Sequence, residues 1–235
     1  MTNELLWFCF MLIDFTLALL LFYRFGKIGL YALIVLDILL CNIQVMKTVE
    51  MFGMVATLGN ILYGSIFFAT DVLGELYGKE EAKRGVWLGF AALIIGTIVM
   101  QFAIRFQPDK SDFIQPSLVQ IFTFLPRITV ASLAAYMVSQ LHDVWAFHFW
   151  KAKTKGRHLW LRNNASTWVS QLIDSLIFSA IAFWGVFSFD VFVQICLTTY
   201  LFKLIVALID TPFIYAARRL ADEKGVLWQI DEQRP

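Results

Sequence analysis

Charge is what this sequence has least of. Asp, Glu, Lys and Arg make up only 16% of its 235 residues, where an ordinary soluble domain carries about 25%. With 59% hydrophobic residues and 23 Phe, the polar surface cannot cover a globule in water, and the soluble classes are excluded. No basic excess exists either, since 19 Lys and Arg face 18 Asp and Glu. A nucleic-acid partner, which needs a clustered basic footprint, is therefore not expected. Cysteine is equally sparse: Cys9, Cys41 and Cys196 stand alone in apolar runs and read as packing thiols, not as a disulfide framework. The chain has no Gly-rich phosphate loop, so no ATPase is built into it. It also lacks the serine–histidine and paired-histidine motifs that an intramembrane enzyme would need. His142, His148 and His158 match no zinc spacing and have no cysteine beside them, so neither a metal nor another cofactor is expected.

What the sequence does have is long apolar runs. Seven of them approach the roughly 20 residues that a helix needs to cross the hydrocarbon, at about 4–23, 28–47, 53–76, 85–105, 117–140, 167–187 and 190–216. A barrel would require short segments of period-two alternation, and these are missing. The fold class is an all-α polytopic membrane protein with seven transmembrane helices. Met1-Thr-Asn-Glu4 lacks a basic leader, so the first run is expected to stay as a helix.

Lys and Arg set the expected orientation. Arg24, Lys27, Lys79, Lys83, Arg84, Lys151, Lys153, Lys155, Arg157, Arg162, Arg218, Arg219, Lys224 and Arg234 fall on one side, fourteen in all, against Lys47, Arg105 and Lys110 on the other. The positive-inside rule then places the N-terminus outside and the C-terminus in the cytoplasm. The one long connection, 141–166, opens on His142-Asp-Val-Trp-Ala-Phe-His-Phe-Trp150 and turns basic. Such a pattern suits a helix lying in the cytoplasmic interface, with rings among headgroups and lysines among phosphates.

Polar residues inside the spans are the candidates for function, because each is costly in lipid unless it turns inward. Asp14 lies in span one; Asp37, Asn42 and Gln44 lie in span two; Asp71 and Glu75 lie in span three. Arg127 lies in span five, Gln171 and Asp174 in span six, and Lys203 and Asp210 in span seven. Some of these are expected to pair structurally, Lys203 with a neighbouring acid above all, and Asp14 reads as a docking group for its helix. The remainder have a chemical shape. Carboxylates accept from paired N–H donors, a carboxamide supplies both donor and acceptor, and Arg or Lys donates to a carbonyl. Asn42, Asp71, Glu75, Arg127, Gln171, Asp174 and Lys203 could together read the edge of a purine-like base, with aromatic rings stacking on its face. The same set would also suit another flat polar heterocycle, or an ion.

The stretch from Ala69 to Arg84, with Asp71, Glu75, Tyr77, Gly78, Ala82 and Arg84, resembles the signature of the queuosine precursor transporters within the vitamin uptake transporter family. Later stretches match in order: Arg127-Ile-Thr-Val-Ala-Ser, Gln140 and Asp143, Arg162-Asn-Asn-Ala-Ser-Thr167, Ser170-Gln171 with Asp174, Tyr200-Leu-Phe-Lys203 and Asp210-Thr-Pro-Phe213. The resemblance runs from about 29 to 217. It implies a six-helix core over 28–217, like the substrate-binding subunits of energy-coupling-factor transporters, with 1–27 as an added helix and 218–235 as a cytoplasmic tail. It implies import across the cell inner membrane of 7-deazaguanine bases such as 7-cyano-7-deazaguanine, or of queuine, for salvage into tRNA. The expected partners are that small molecule and the lipid bilayer, with a homo-oligomer left open. Two other readings compete: a substrate-binding subunit served by a separate ATPase, and a membrane enzyme or its partner.

The charge asymmetry is directly testable. A reporter fused after Pro235 is expected to be active in the cytoplasm and one placed before Met1 on the outside; finding both on one side removes either the seven-span count or the first helix.

Overall fold

The computed structural model describes residues 2–153 and 159–223. These residues form α1 (Asn3–Phe25), α2 (Lys27–Gln44), β1 (Thr48–Met51), β2 (Met54–Thr57), α3 (Asn60–Tyr77), α4 (Lys79–Ala103), α5 (Gln115–Phe122), α6 (Leu125–Lys153), α7 (Leu159–Phe183) and α8 (Phe189–Glu223). Seven of the helices are long and α5 is short. Five stretches are long and apolar enough to cross a membrane: α1, α2, α4, Gln115–Ser139 and α8. In α7 the apolar part is shorter, Trp168–Phe183, and α3 is diluted by Asp71 and Glu75. The chain is an all-α polytopic membrane protein.

One expected span starts late. The apolar run from 53 reads as the beginning of a helix, but Thr48–Thr57 is an antiparallel hairpin with Thr48 opposite Thr57 and Met51 opposite Met54. Phe52 and Gly53 make its two-residue turn, both at positive φ (51° and 72°), as a type I′ turn requires. The hairpin is tied down on both sides. Asn3 donates to the Glu50 carbonyl at 2.8 Å and the Phe52 N–H donates to Glu4 at 2.9 Å. The Val55 N–H donates to Gln194 of α8 at 2.8 Å, and the Thr198 hydroxyl reaches the Val55 carbonyl. Backbone groups at a membrane boundary need such partners once they leave a helix. Gly59 then turns the chain into α3 at φ +93°, where a Cβ would sit 2.7 Å from the Cys41 carbonyl.

The expected interfacial segment also differs. Residues 141–153 continue α6, and 159–166 already belong to α7; 154–158 and the tail beyond 223 lie outside the described residues. Trp145 stacks on Phe149 and remains exposed, while the His142 ring meets the Ser170 hydroxyl of α7 at 3.0 Å. The last helix runs past the bilayer's reach. At 1.5 Å per residue, α8 with its 35 residues is about 50 Å long against about 30 Å of hydrocarbon, which carries Arg218 and Arg219 beyond the core.

Two apolar clusters hold the helices. The larger joins α1, α2, α3, α4 and α8 through residues such as Met11, Phe15, Leu30, Ile34, Phe68 and Val206. The smaller joins α6 and α7 to the end of α2 and the start of α8 through Val45, Ile128, Ala131, Ala182, Phe183 and Ile195. Within the larger cluster, α3 meets α8 at Gly64, where an added Cβ would fall 2.1 Å from Val206 Cγ1. Phe15 fills the remaining space, stacked on Phe213 and edge-on to Phe68. Small residues at helix contacts bring backbones close, which is how helices associate where lipid removes the hydrophobic drive.

Gly64→Val is accordingly expected to lower thermal stability by about 1–3 kcal/mol or more, since the branched Val206 cannot swing aside. Adding Val206→Ala should recover part of the loss in the same melting assay.

Candidate functional site

A polar stripe runs down α3. Tyr63, Phe67, Asp71 and Glu75 recur every fourth residue and therefore share a face; all four line one open cavity of about 1540 Å³ between α3, α4, α6 and the end of α8. Asp71 is exposed to this space and forms no ion pair among the described residues. One turn further, Glu75 meets Arg218 of α8 at 3.3 Å. Lys79 and Lys83 of α4 complete a charged mouth, and Trp87, Phe90 and Tyr136 give the walls aromatic faces.

Deeper in lies a smaller pocket, lined among others by Asn42, Asn60, Tyr63, Ser132, Asp174, Thr199 and Lys203. Its volume of about 40 Å³ holds a few water molecules at most. Its centre is an ion pair between Lys203 of α8 and Asp174 of α7, whose side chains are only 9% and 6% exposed. The Lys203 ammonium also lies 4.4 Å from the centroid of the Tyr63 ring, a cation–π contact. Tyr63 and Ser139 hydroxyls approach the other Asp174 oxygen at 3.5 Å each, long enough to be weak. Asn42 donates to the Ile38 carbonyl at 2.7 Å and accepts from Ser132 of α6 at 2.6 Å. The Thr199 hydroxyl is buried with no partner. Asn42, Tyr63 and Ser132 line both spaces. They form the partition between them.

The seven residues picked from the sequence do not share one cavity. Asn42, Asp174 and Lys203 meet in the inner pocket; Asp71 and Glu75 line the outer cavity, which Asn42 also touches. Arg127 lines neither of these two. Its guanidinium donates to the Ile181 and Trp184 carbonyls, each at 2.6 Å, capping the end of α7. Carbonyls at a helix end have no partner within the helix, and lipid offers none. Gln171 also lines neither space, and its Oε1 is buried without a partner.

The polar residues that stand out within the spans do not include Tyr63, Asn60, Ser132 and Thr199, which line the inner pocket. Tyr63 could have been found by extending the four-residue spacing of Asp71 and Glu75 back along α3. Ser132 and Thr199 carried no such signal, because a hydroxyl within an apolar run is cheap and common. The arrangement can present an acceptor, a donor and an aromatic face to a flat polar molecule, with a carboxylate at Asp71 on the way in.

Comparison with known proteins gives three matching relatives and one family. The family described as "Putative vitamin uptake transporter" matches residues 57–217. A Bacillus subtilis protein named "Probable queuosine precursor transporter" is 48% identical over 94% of this chain and 96% of its own length. The Escherichia coli "Queuosine precursor transporter" is 28% identical over 79% of this chain and 85% of its own length. A Haemophilus influenzae "Probable queuosine precursor transporter" is 31% identical over 67% of this chain and 66% of its own length. No solved structure matches the chain, so the likeness to energy-coupling-factor subunits rests on the sequence resemblance alone.

The ion pair sets a test of the inner pocket. Asp174→Asn leaves the Lys203 ammonium buried without a counter-ion and is expected to destabilise the protein by about 3–5 kcal/mol. Asp174→Asn combined with Lys203→Met should melt close to the parent while binding ligand poorly. An unchanged melting temperature for Asp174→Asn alone would mean that the pair carries no stability.

Proposed function

The chain belongs to the vitamin uptake transporter family, and on that footing we propose that it imports queuosine precursors, 7-deazaguanine bases such as 7-cyano-7-deazaguanine or queuine, for salvage into tRNA. The family is one of transporters, not enzymes, and the chain's long apolar helices are those of a multi-pass membrane protein. What supports the substrate class is the name its relatives carry, together with the chemistry of the inner pocket. A deazaguanine presents a ring N–H and an amino group to an acceptor and a carbonyl to a donor. Asp174 and Lys203 supply this complement within one pocket. Asn42 offers both functions beside them, and Tyr63 offers a ring for stacking. Recognition by several buried polar groups also rejects ligands that would leave them unpaired.

The observation that carries the mechanism is the position of this pocket behind the wide cavity. The cavity mouth, with Lys79, Lys83 and Arg218, lies on the side that the charge rule makes cytoplasmic. In this reading the described conformation faces inward, with its binding pocket contracted. Substrate would be taken up from the opposite side, where Leu58, Gly59 and Asn60, just past the hairpin, border the pocket, and released past Asn42, Tyr63 and Ser132 into the cavity. Asp71 and Glu75 would meet the base as it leaves. Two packed bodies meet at the pocket, the α6–α7 pair, whose cluster also takes in Val45 at the end of α2 and Ile195 at the start of α8, and the larger cluster of α2, α3 and α8, so rocking one against the other would open each side in turn.

Cells of a strain unable to make deazaguanines are expected to accumulate labelled 7-cyano-7-deazaguanine when they express this chain. Tyr63→Ala should raise the half-saturating concentration by the loss of one ring stack, about 1–3 kcal/mol or five- to 150-fold. Uptake no greater than in cells with empty vector, for both 7-cyano-7-deazaguanine and queuine, would overturn the assignment.

A further inference from the structure

We propose that α1 completes a proton-binding site inside the membrane, formed by Asp14 with Asp37 of α2 and the Ser65 hydroxyl of α3, and that protons bound there drive import. Asp14 is 6% exposed, Asp37 2% and Ser65 fully buried. The Ser65 hydroxyl donates to Asp14 Oδ2, whereas Asp37 Oδ2 is buried with no partner. Asp14 and Asp37 stand twelve and eleven residues from the Gly26 turn that joins α1 to α2, so they lie at about the same depth of the paired helices, and both are buried. Among the described residues neither makes an ion pair.

Two ionised carboxylates in this setting would be prohibitive, since each pays for desolvation and they repel each other. A bound cation must relieve them. A proton fits where a divalent ion does not: Ca²⁺ and Mg²⁺ take six or more oxygens, and no cluster of three or more His, Cys, Asp or Glu side chains occurs among the described residues. A proton on either carboxyl turns it into a donor, and the lone Asp37 oxygen is the group that needs one.

Charged groups on the packed neighbours are engaged elsewhere. Lys203 of α8 pairs with Asp174, and Glu75 of α3 pairs with Arg218. Glu81 of α4 is held by Lys27, Arg84 and the Tyr31 hydroxyl, and Glu4 of α1 accepts from Phe52 beside Glu50 of β1. Asp210 of α8 is also buried, between Val206 and Phe213 in the sequence of α8, and is not without a partner. Asp71 opens to the outer cavity. From α6, Arg127 is bound to the end of α7.

The site is connected to the binding pocket through α2. Asp37 is one turn from Cys41, which lines the inner pocket beside Asn42. Proton occupancy and substrate occupancy thus bear on the same turn of helix, and any coupling between them must be reciprocal. This second half of the proposal rests on the transport reading; the proton site does not.

Two measurements on the full-length protein separate these parts. Infrared spectroscopy of the purified protein at neutral pH is expected to show the carbonyl stretch of a protonated carboxyl, weakened by Asp37→Asn or Asp14→Asn. Should Asp37→Asn fail to insert, Asp37→Glu should move the band instead of removing it. A spectrum that none of these changes alters overturns the site. In proteoliposomes, an inward proton gradient of one pH unit should drive accumulation of labelled 7-cyano-7-deazaguanine up to about tenfold for one proton per substrate. Asp37→Asn should only equilibrate it. Wild-type uptake that ignores the gradient overturns proton coupling. If the wild type takes up no label under any gradient, the transport reading fails, and the infrared result alone decides the proton site.

Discussion

Everything about the inner pocket depends on the Asp174–Lys203 ion pair. It joins α7 to α8 across the seam between the two packed bodies, and neither partner has water to fall back on. A buried pair of this kind adds little net stability over apolar side chains of similar size, yet breaking it by removing one partner is severe. That asymmetry suits a binding site. A ligand that offers N–H donors to Asp174 and a carbonyl to Lys203 can replace each partner for the other, so the pair opens without leaving a bare charge. A ligand that satisfies only one of them cannot. In the proposed role, selectivity would follow from a constraint the empty site already has to meet.

Another tie across the seam is neutral. Ser132 of α6 donates to Asn42 of α2, and this bond is also part of the wall between the two cavities. A neutral hydrogen bond contributes roughly 1 kcal/mol net, which makes it a far easier element to exchange than the ion pair. The seam is therefore graded. A change of conformation can pass through the Asn42–Ser132 contact while Asp174 and Lys203 stay paired with each other or with a ligand.

Much of this was legible in the sequence, for a physical reason. Membrane helices must be long and apolar, so the spans are visible as runs, and polar residues within them stand out. Asp71, Glu75, Asp174 and Lys203 were all found that way, and the family resemblance was borne out by the relatives. The hairpin at Thr48–Thr57 was not legible, because its strands are four residues each, too short to show a period against an apolar background. Arg127 was legible as a buried cation but not as a cap. Its partners are backbone carbonyls of α7, and a sequence does not show which helix end a side chain reaches. Gln171 lies one turn from Asp174, yet a turn is coarse enough to place it outside both cavities.

The balance of intramembrane charge gives the fold its direction. Both cations expected within the spans are committed: Lys203 to Asp174, and Arg127 to the end of α7. Asp14, Asp37 and Asp71 have no such counter-ion among the described residues. An interior with an excess of acceptors is unstable toward anything that brings N–H groups or protons, and repels anions. Asp71 can wait in the open cavity, where water can reach it. Asp14 and Asp37 cannot, because they are sealed between α1, α2 and α3. The first helix, α1, is thus more than a rod packed on its neighbours: by closing over Asp37 and contributing a second carboxyl, it turns an ordinary buried acid into a group that must hold a proton.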